Sequence, residues 1–113
     1  MTCECFYIIK ENTIESANDF VTKIKEFANK KREELYPVAI SEVIKDFSAT
    51  GDYDNWSTPF KVKTGSILVF VQGKYYSMHR VKIKGAKRGF PNRYFDKNFY
   101  ENFGDYIKDI KLI

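Results

Sequence analysis

An amphipathic stretch in the first third of the chain constrains the fold most. Its apolar residues recur at the i, i+3, i+4, i+7 spacing of one helical face: Ala17, Phe20, Val21, Ile24, Phe27 and Ala28. Asn12 or Thr13 can cap this helix, and Pro37 disfavours helical geometry in Tyr36, so the helix should stop before that residue. A long helix with one apolar face must pack against another element, and its neighbours suggest a sheet.

The segments on either side of this helix predict one strand and one further helix. Thr2–Ile9 is rich in aromatic and β-branched residues, which favours a strand. Pro37 can open a second, shorter helix, in which Ile40, Val43, Ile44 and Phe47 follow the helical spacing; a strand is the alternative. From Ser48 to Pro59 turn-forming residues dominate, so this segment predicts a loop.

The stretch from Phe60 to Ile83 predicts antiparallel strands. The apolar run Ile67–Val71 ends at Gln72 and Gly73, which predict a tight hairpin turn. In that register, Leu68 and Phe70 share a face with the residues 79, 81 and 83, and this face is the better core candidate.

The last third of the chain predicts a loop followed by a helix. Gly85–Asn92 contains two glycines, two bases and a proline, and predicts a loop. Aromatic and aliphatic residues then lie near one helical stripe, although residues 110–113 could instead form a short final strand: Phe95, Phe99, Phe103, Tyr106, Ile107 and Ile110. The expected class is α+β, with an N-terminal strand and two helices, an antiparallel sheet or partly closed small barrel over about residues 60–84, and a C-terminal aromatic helix.

One stretch resembles a known family. VKTGSILVF, followed by the predicted hairpin and then HRVKI, resembles the central strands of small PUA-like barrels, which as a group bind RNA or modified DNA. This resemblance covers about a fifth of the chain, and it implies no individual site residue.

The size of the chain predicts one domain, residues 1–113. With 113 residues, of which 43% are hydrophobic, it can build one core and not two. The sequence has neither an apolar run of bilayer length nor a basic flank followed by an apolar signal region, so we expect a cytoplasmic protein that does not bind membranes. Cys3 and Cys5 are too close along one predicted strand for an unstrained disulfide, so both thiols should be free.

Charge is distributed unevenly along the chain. The formal net charge is +4, but residues 55–95 contain neither Asp nor Glu. This acid-free segment carries nine bases: Lys61, Lys63, Lys74, Arg80, Lys82, Lys84, Lys87, Arg88 and Arg93. Such a segment indicates either a basic surface for an anionic partner or a solvated face that acidic helices compensate in space.

Aromatic residues are interleaved with these bases, as a nucleic-acid surface requires. Cations contact phosphates, and flat side chains stack on bases, which suits single strands best. The predicted binding residues are Tyr76, Arg80, Lys82, Lys84, Lys87, Arg88, Phe90, Arg93 and Tyr94. Among them, Lys82, Lys84, Lys87, Arg88 and Arg93 are expected to lie on one connected surface. The leading hypothesis is a small binding protein that engages nucleic acid or a nucleic-acid-handling complex.

The sequence predicts no enzyme, no metal site and no cofactor. His79 is the sole histidine, with no legible catalytic partner, and is expected on the inner face of the sheet. Cys3 and Cys5 alone supply too few ligands for zinc. The alternative hypothesis is a small inhibitor or immunity-type protein, for example phage-encoded, because Tyr, Phe and Arg are also enriched at protein interfaces.

Overall fold

The computed structural model describes residues 2–49, 60–81, 86–89 and 104–113. Within these ranges seven strands and two helices follow one another along the chain. In order they are β1 (Thr2–Ile9), α1 (Ile14–Lys31), β2 (Leu35–Val43), β3 (Phe47–Ala49), β4 (Phe60–Val62), β5 (Ile67–Lys74), α2 (Tyr75–Arg80), β6 (Ala86–Gly89) and β7 (Ile107–Leu112). The expected α+β class is confirmed.

Five strands form one antiparallel sheet in the order β6-β1-β5-β2-β7, and β3 pairs with β4 in a second, small sheet. Because β1 and β2 both run antiparallel to β5, which lies between them, β1-α1-β2 is a split βαβ unit. By the same reasoning β5-α2-β6 is a second split unit, with β1 between its strands. This connectivity is that of the ferredoxin-like motif, here with β3 and β4 inserted and β7 added at one edge.

The two helices lie on one face of the large sheet. Thr13 caps α1 by accepting a hydrogen bond from the Ser16 amide, and the helix ends at Arg32, which is left-handed (φ 54°). Phe20 and Ile24 of α1, together with Met78 of α2, are buried against alternate residues of the central strands. We call this the helix side of the sheet.

The opposite face of the sheet is also covered. Phe6 and Phe70, from the two central strands, are buried there together with Phe47 and Val62 of the small sheet. The rings of Phe47 and Phe70 each meet the ring of Phe6 edge-on, with centroids 5.9 Å apart. The domain therefore has three layers, and β5, as a central strand, is buried on both faces rather than on the Leu68 and Phe70 face alone.

The prediction of a second helix from Pro37 is wrong, because this segment is strand β2. The register between β2 and β5 shifts between Pro37 and Ala39, so a bulge interrupts the alternation that would have revealed a strand. A bulge also tolerates a residue without an N–H group, which explains the proline. The open alternative, a strand, is the structure observed.

The hairpin predicted at Gln72 and Gly73 is also wrong. β5 continues through both residues to Lys74 and pairs with β1 on one side and β2 on the other. The chain then enters α2, so residue 79 belongs to a helix rather than to the inner face of a sheet. The sheet is open, so neither the predicted partly closed barrel nor the barrel implied by the PUA-like resemblance forms.

The two edge strands replace a predicted loop and part of a predicted helix. Ala86–Gly89 pairs with β1, although the sequence predicts a loop over residues 85–92. Ile107–Leu112 pairs with β2, so the helical stripe does not extend to the C-terminus and the alternative of a final strand is correct. Strand pairing overrides the local helical spacing in this segment. Phe95, Phe99 and Phe103 lie outside the described residues.

Cys5 takes part in no disulfide among the described residues, and it is fully buried on the helix side. Neither α1 nor α2 is both long and apolar enough to cross a membrane.

Candidate nucleic-acid interface

Four of the nine predicted binding residues lie in described elements. Tyr76 and Arg80 belong to α2, whereas Lys87 and Arg88 belong to β6. The other five lie outside the described residues: Lys82, Lys84, Phe90, Arg93 and Tyr94.

Lys87 and Arg88 do not share a surface. Lys87 reaches the ring of Phe60, with its Nζ atom 3.8 Å from the ring centroid, on the side covered by β3 and β4. Arg88 is opposite Tyr7 in the ladder, on the helix side, and its charge partly offsets the effect of burial, which raises the pKa of Tyr7. Successive residues of a strand point to opposite faces, so the expectation of one connected surface fails for this pair.

Tyr76 and Arg80 occupy one face of α2, at the end of α1. They are four residues apart, the spacing at which side chains of a helix are neighbours. The Tyr76 residue is 75% exposed, and the Arg80 side chain is 67% exposed. The Nη1 atom of Arg80 lies 2.9 Å from Oε1 of Glu33, which directly follows the C-cap of α1. This ion pair brings α2 beside the basic last turn of α1.

That last turn supplies three exposed bases that the predicted site did not include. Lys30 and Lys31 end α1, and Arg32 is its C-cap. Among the residues that the structure describes, none of the three forms an ion pair. We call Lys30, Lys31, Arg32, Tyr76 and Arg80 the helix-end surface. The run Lys-Lys-Arg is visible in the sequence, but it precedes the acid-free segment. Only the tertiary contact between Glu33 and Arg80 connects this run to the part of the acid-free segment that forms α2.

The acidic residues beside this surface already have partners. Glu33 accepts one hydrogen bond from the buried Ser77 hydroxyl and another from Arg80, and these lower the pKa of its carboxyl group in that order of importance. Glu34 contacts Lys74 at 2.9 Å, which raises the pKa of that lysine. Glu33 and Glu34 therefore pair with Arg80 and Lys74 rather than with the last turn of α1.

A second group of bases lies over the small sheet. Lys45, Lys61, Lys63 and Lys87 are exposed. The Nζ atom of Lys63 is 4.0 Å from Asp46, and the charges of Lys63 and Lys61 both act on that carboxylate. We call these four lysines the β3–β4 surface. Lys61 and Lys63 belong to the acid-free segment. In the sequence they alternate with Phe60 and Val62, a pattern that indicates a strand but not a binding surface.

Hydrogen bonds hold Asp46 in place beside Lys63 and Lys61 of the β3–β4 surface. Its Oδ1 atom accepts hydrogen bonds of 2.7 Å from both the backbone amide and the hydroxyl of Thr64, which hold the pKa of Asp46 below its ordinary value. Lys45, the preceding residue, lies 5.1 Å from the ring centroid of Tyr106. The Asp46 carboxylate thus lies beside Lys63 and Lys61, whereas Lys45 and Lys87 are positioned over aromatic rings.

The central strands β1 and β5 offer no exposed aromatic platform among the described residues. Modules that bind RNA on a sheet stack bases on aromatic side chains of that sheet. Here Phe6 and Phe70 occupy the central strands on the face without helices, but both are buried beneath β3 and β4. Any stacking by the described residues must therefore use rings at the surface, such as Tyr76.

The described residues contain no group of three or more His, Cys, Asp or Glu side chains that could hold a metal ion. Comparisons with protein-family models, with curated proteins and with solved structures found no match for this chain.

Proposed function

We propose that the protein is a non-enzymatic binding protein that engages single-stranded nucleic acid through the helix-end surface. The observation that carries the proposal is the exposed Tyr76 ring, which shares one face of α2 with Arg80 beside the three bases that end α1. Aromatic stacking and phosphate contacts are the two interactions that single-strand binding combines.

The charges of this surface support an anionic partner. Glu33 and Glu34 each already contact a base, so a phosphate that approaches Lys30, Lys31 or Arg32 meets no unpaired carboxylate of that loop. The same bases also stabilise the C-terminus of α1, because cations favour the negative end of the helix dipole. To stabilise the helix in this way, the three bases need only lie near its C-terminus, so their side chains stay exposed to solvent.

The remaining predicted residues stay part of the proposal. Lys82 and Lys84 follow Arg80 by two and four positions, so they extend the basic run beyond α2. Phe90, Arg93 and Tyr94 are proposed as further contacts. Lys87 is assigned instead to the β3–β4 surface, and Arg88 to the β6 edge on the helix side.

Charge reversal on α1 tests the proposal. Fluorescence anisotropy with a labelled oligothymidylate should show that Lys30→Glu with Lys31→Glu weakens binding tenfold or more, because two phosphate contacts are lost. Lys23→Glu with Lys108→Glu makes the same change of net charge at exposed lysines elsewhere and should alter binding by less than threefold. Equal losses from both pairs would mean that only net charge matters and would refute the proposed surface.

The alternative, an inhibitor that binds a protein target, is favoured by a different observation. An open groove of about 360 Å³ lies between α1 and the start of β2, and apolar residues line part of it: Ala28, Leu35 and Pro37. Tyr36, also at this groove, is 61% exposed. Affinity purification from the native host distinguishes the two functions. One protein at fixed stoichiometry without nucleic acid would support inhibition, whereas salt-sensitive recovery of nucleic acid would support the proposed function.

A further inference from the structure

We infer that the β3–β4 surface is a second phosphate-binding surface, so that one molecule holds two nucleic-acid strands on opposite faces of its sheet. The inference rests on the proposed function, which assigns the first strand to the helix-end surface. It adds a bridging activity that single-strand binding alone does not require.

The positions of the two surfaces carry this inference. α2, which bears Tyr76 and Arg80, is anchored by Met78 and Val81 in the core on the helix side. Lys87 lies over the ring of Phe60, which directly precedes Lys61 in β4 and packs against the core on the other face. The five-stranded sheet therefore separates the two groups of bases.

The two groups of bases lie on opposite sides of the large sheet, in a molecule whose shortest principal Cα extent is 24 Å. Charges in solvent are screened over about 8 Å at physiological ionic strength. Solvent screening therefore weakens the repulsion between a phosphate on one face and a phosphate on the other. Both surfaces can be occupied together, and each should bind as an independent site.

The β3–β4 surface has the chemistry of a backbone-binding site. Four exposed lysines lie on this side of the described part of the chain, and Asp46, the carboxylate beside Lys63 and Lys61, already accepts two hydrogen bonds from Thr64. Lys87 is held over the Phe60 ring, so part of its conformational freedom is lost before a ligand arrives. Phe60 is only partly buried, but Lys87 covers it, so this surface should contact phosphates without stacking bases.

A strand must be short to test the two surfaces separately. An oligothymidylate of about eight nucleotides is within the range bound by one single-strand site. A mixture of donor-labelled and acceptor-labelled copies reports by energy transfer when two strands are held by the same molecule. Native mass spectrometry counts the strands on each chain and separates bridging by one chain from association of two chains.

We expect two oligonucleotides per chain and energy transfer with the wild-type protein. Lys61→Gln with Lys63→Gln should reduce the count to one and abolish energy transfer, while binding at the remaining site changes by less than twofold. These glutamines keep exposed polar side chains, and circular dichroism checks that the variant folds. Lys23→Gln with Lys108→Gln is the matched control and should keep both strands.

The remaining outcomes separate the two claims. One strand per chain, lost in Lys30→Glu with Lys31→Glu and unaffected by Lys61→Gln with Lys63→Gln, would overturn the second surface and leave the proposed function intact. An oligonucleotide that does not bind at all, or that binds with unchanged affinity and an unchanged number of strands per chain after the α1 charges are reversed, would overturn the proposed function and this inference with it.

Discussion

Gly73 passes so close to the backbone carbonyl of Glu34 that a β-carbon at position 73 would overlap it. The approach occurs where β2 begins beside the end of β5, and the Lys74 amide donates a 3.1 Å hydrogen bond to the same carbonyl. This glycine therefore serves close strand packing rather than a turn.

Gly73→Ala should lower the free energy of unfolding by about 2 kcal/mol or more, because backbone must shift to admit the methyl group. Urea denaturation measures the loss. Gly65→Ala is the comparison: a β-carbon at position 65 would have no atom within 4 Å, but the φ of 91° disfavours a side chain, so about 1 kcal/mol is expected. A larger loss at Gly65 than at Gly73 would contradict the packing of β2 on β5.

The same glycine shows why the sequence predicts some elements and misses others. α1 is predictable because its apolar spacing, its cap region and Pro37 are local signals that agree. A glycine after an apolar run predicts a turn, and only the distant Glu34 carbonyl shows that it belongs to a central strand. The candidate site follows the same logic. Arg80 is found from local charge, whereas Lys30–Arg32 joins it only through the contact between Glu33 and α2.

Asn12 ties the β1–α1 turn to the start of β5, and its removal should be costly. Its side-chain amide donates to the Gly65 carbonyl at 2.8 Å, and its carbonyl oxygen accepts from the Ile67 amide at 2.6 Å. Its backbone is left-handed, with φ of 56°. Asn12→Ala should cost about 2–3 kcal/mol of unfolding free energy, measured by urea denaturation, because it loses both hydrogen bonds and strains the backbone.

Asn12→Gly separates these two causes. It relieves the left-handed backbone but still lacks the side-chain hydrogen bonds, so its loss should be smaller than that of Asn12→Ala by about 1 kcal/mol. Equal stability of the wild type and both variants would show that the turn does not hold β5.

The Glu33 carboxylate should contribute stability that depends on pH. Hydrogen bonds from Ser77 and Arg80 lower its pKa in the folded state, so its contribution is fully present above the unfolded value of about 4.3 and is lost as the pH falls through the lower folded value. Urea denaturation between neutral and acidic pH should show Glu33→Gln less stable than the wild type at neutral pH, with the difference vanishing in acid.

Two features make this comparison specific to Glu33. Asp46, whose pKa Thr64 also lowers, titrates in both proteins and cancels in the difference between them. Ser77→Ala removes the largest cause of the shift, so the Glu33 pKa followed by NMR should rise towards its ordinary value. An unchanged pKa in that variant would show that Ser77 does not set it.

Tyr76 should act through its ring. Stacking of a base on an aromatic side chain contributes about 1–3 kcal/mol, so Tyr76→Ala should weaken oligothymidylate binding at least fivefold. Tyr76→Phe keeps the ring and should bind within twofold of the wild type, as measured by anisotropy. Because Tyr76 is exposed, neither change should lower the free energy of unfolding by more than about 0.5 kcal/mol. If Tyr76→Ala bound the oligothymidylate as tightly as the wild type, the proposed stacking of bases on α2 would be wrong.

The salt dependence of binding tests the helix-end surface most directly. Each single-strand phosphate contact contributes about 0.7 to the slope of log affinity against log salt concentration. The triple variant Lys30→Gln, Lys31→Gln, Arg32→Gln removes three exposed bases and should reduce the magnitude of that slope by about 2 relative to the wild type. A slope that the triple variant leaves unchanged would contradict the assignment of nucleic acid to the end of α1.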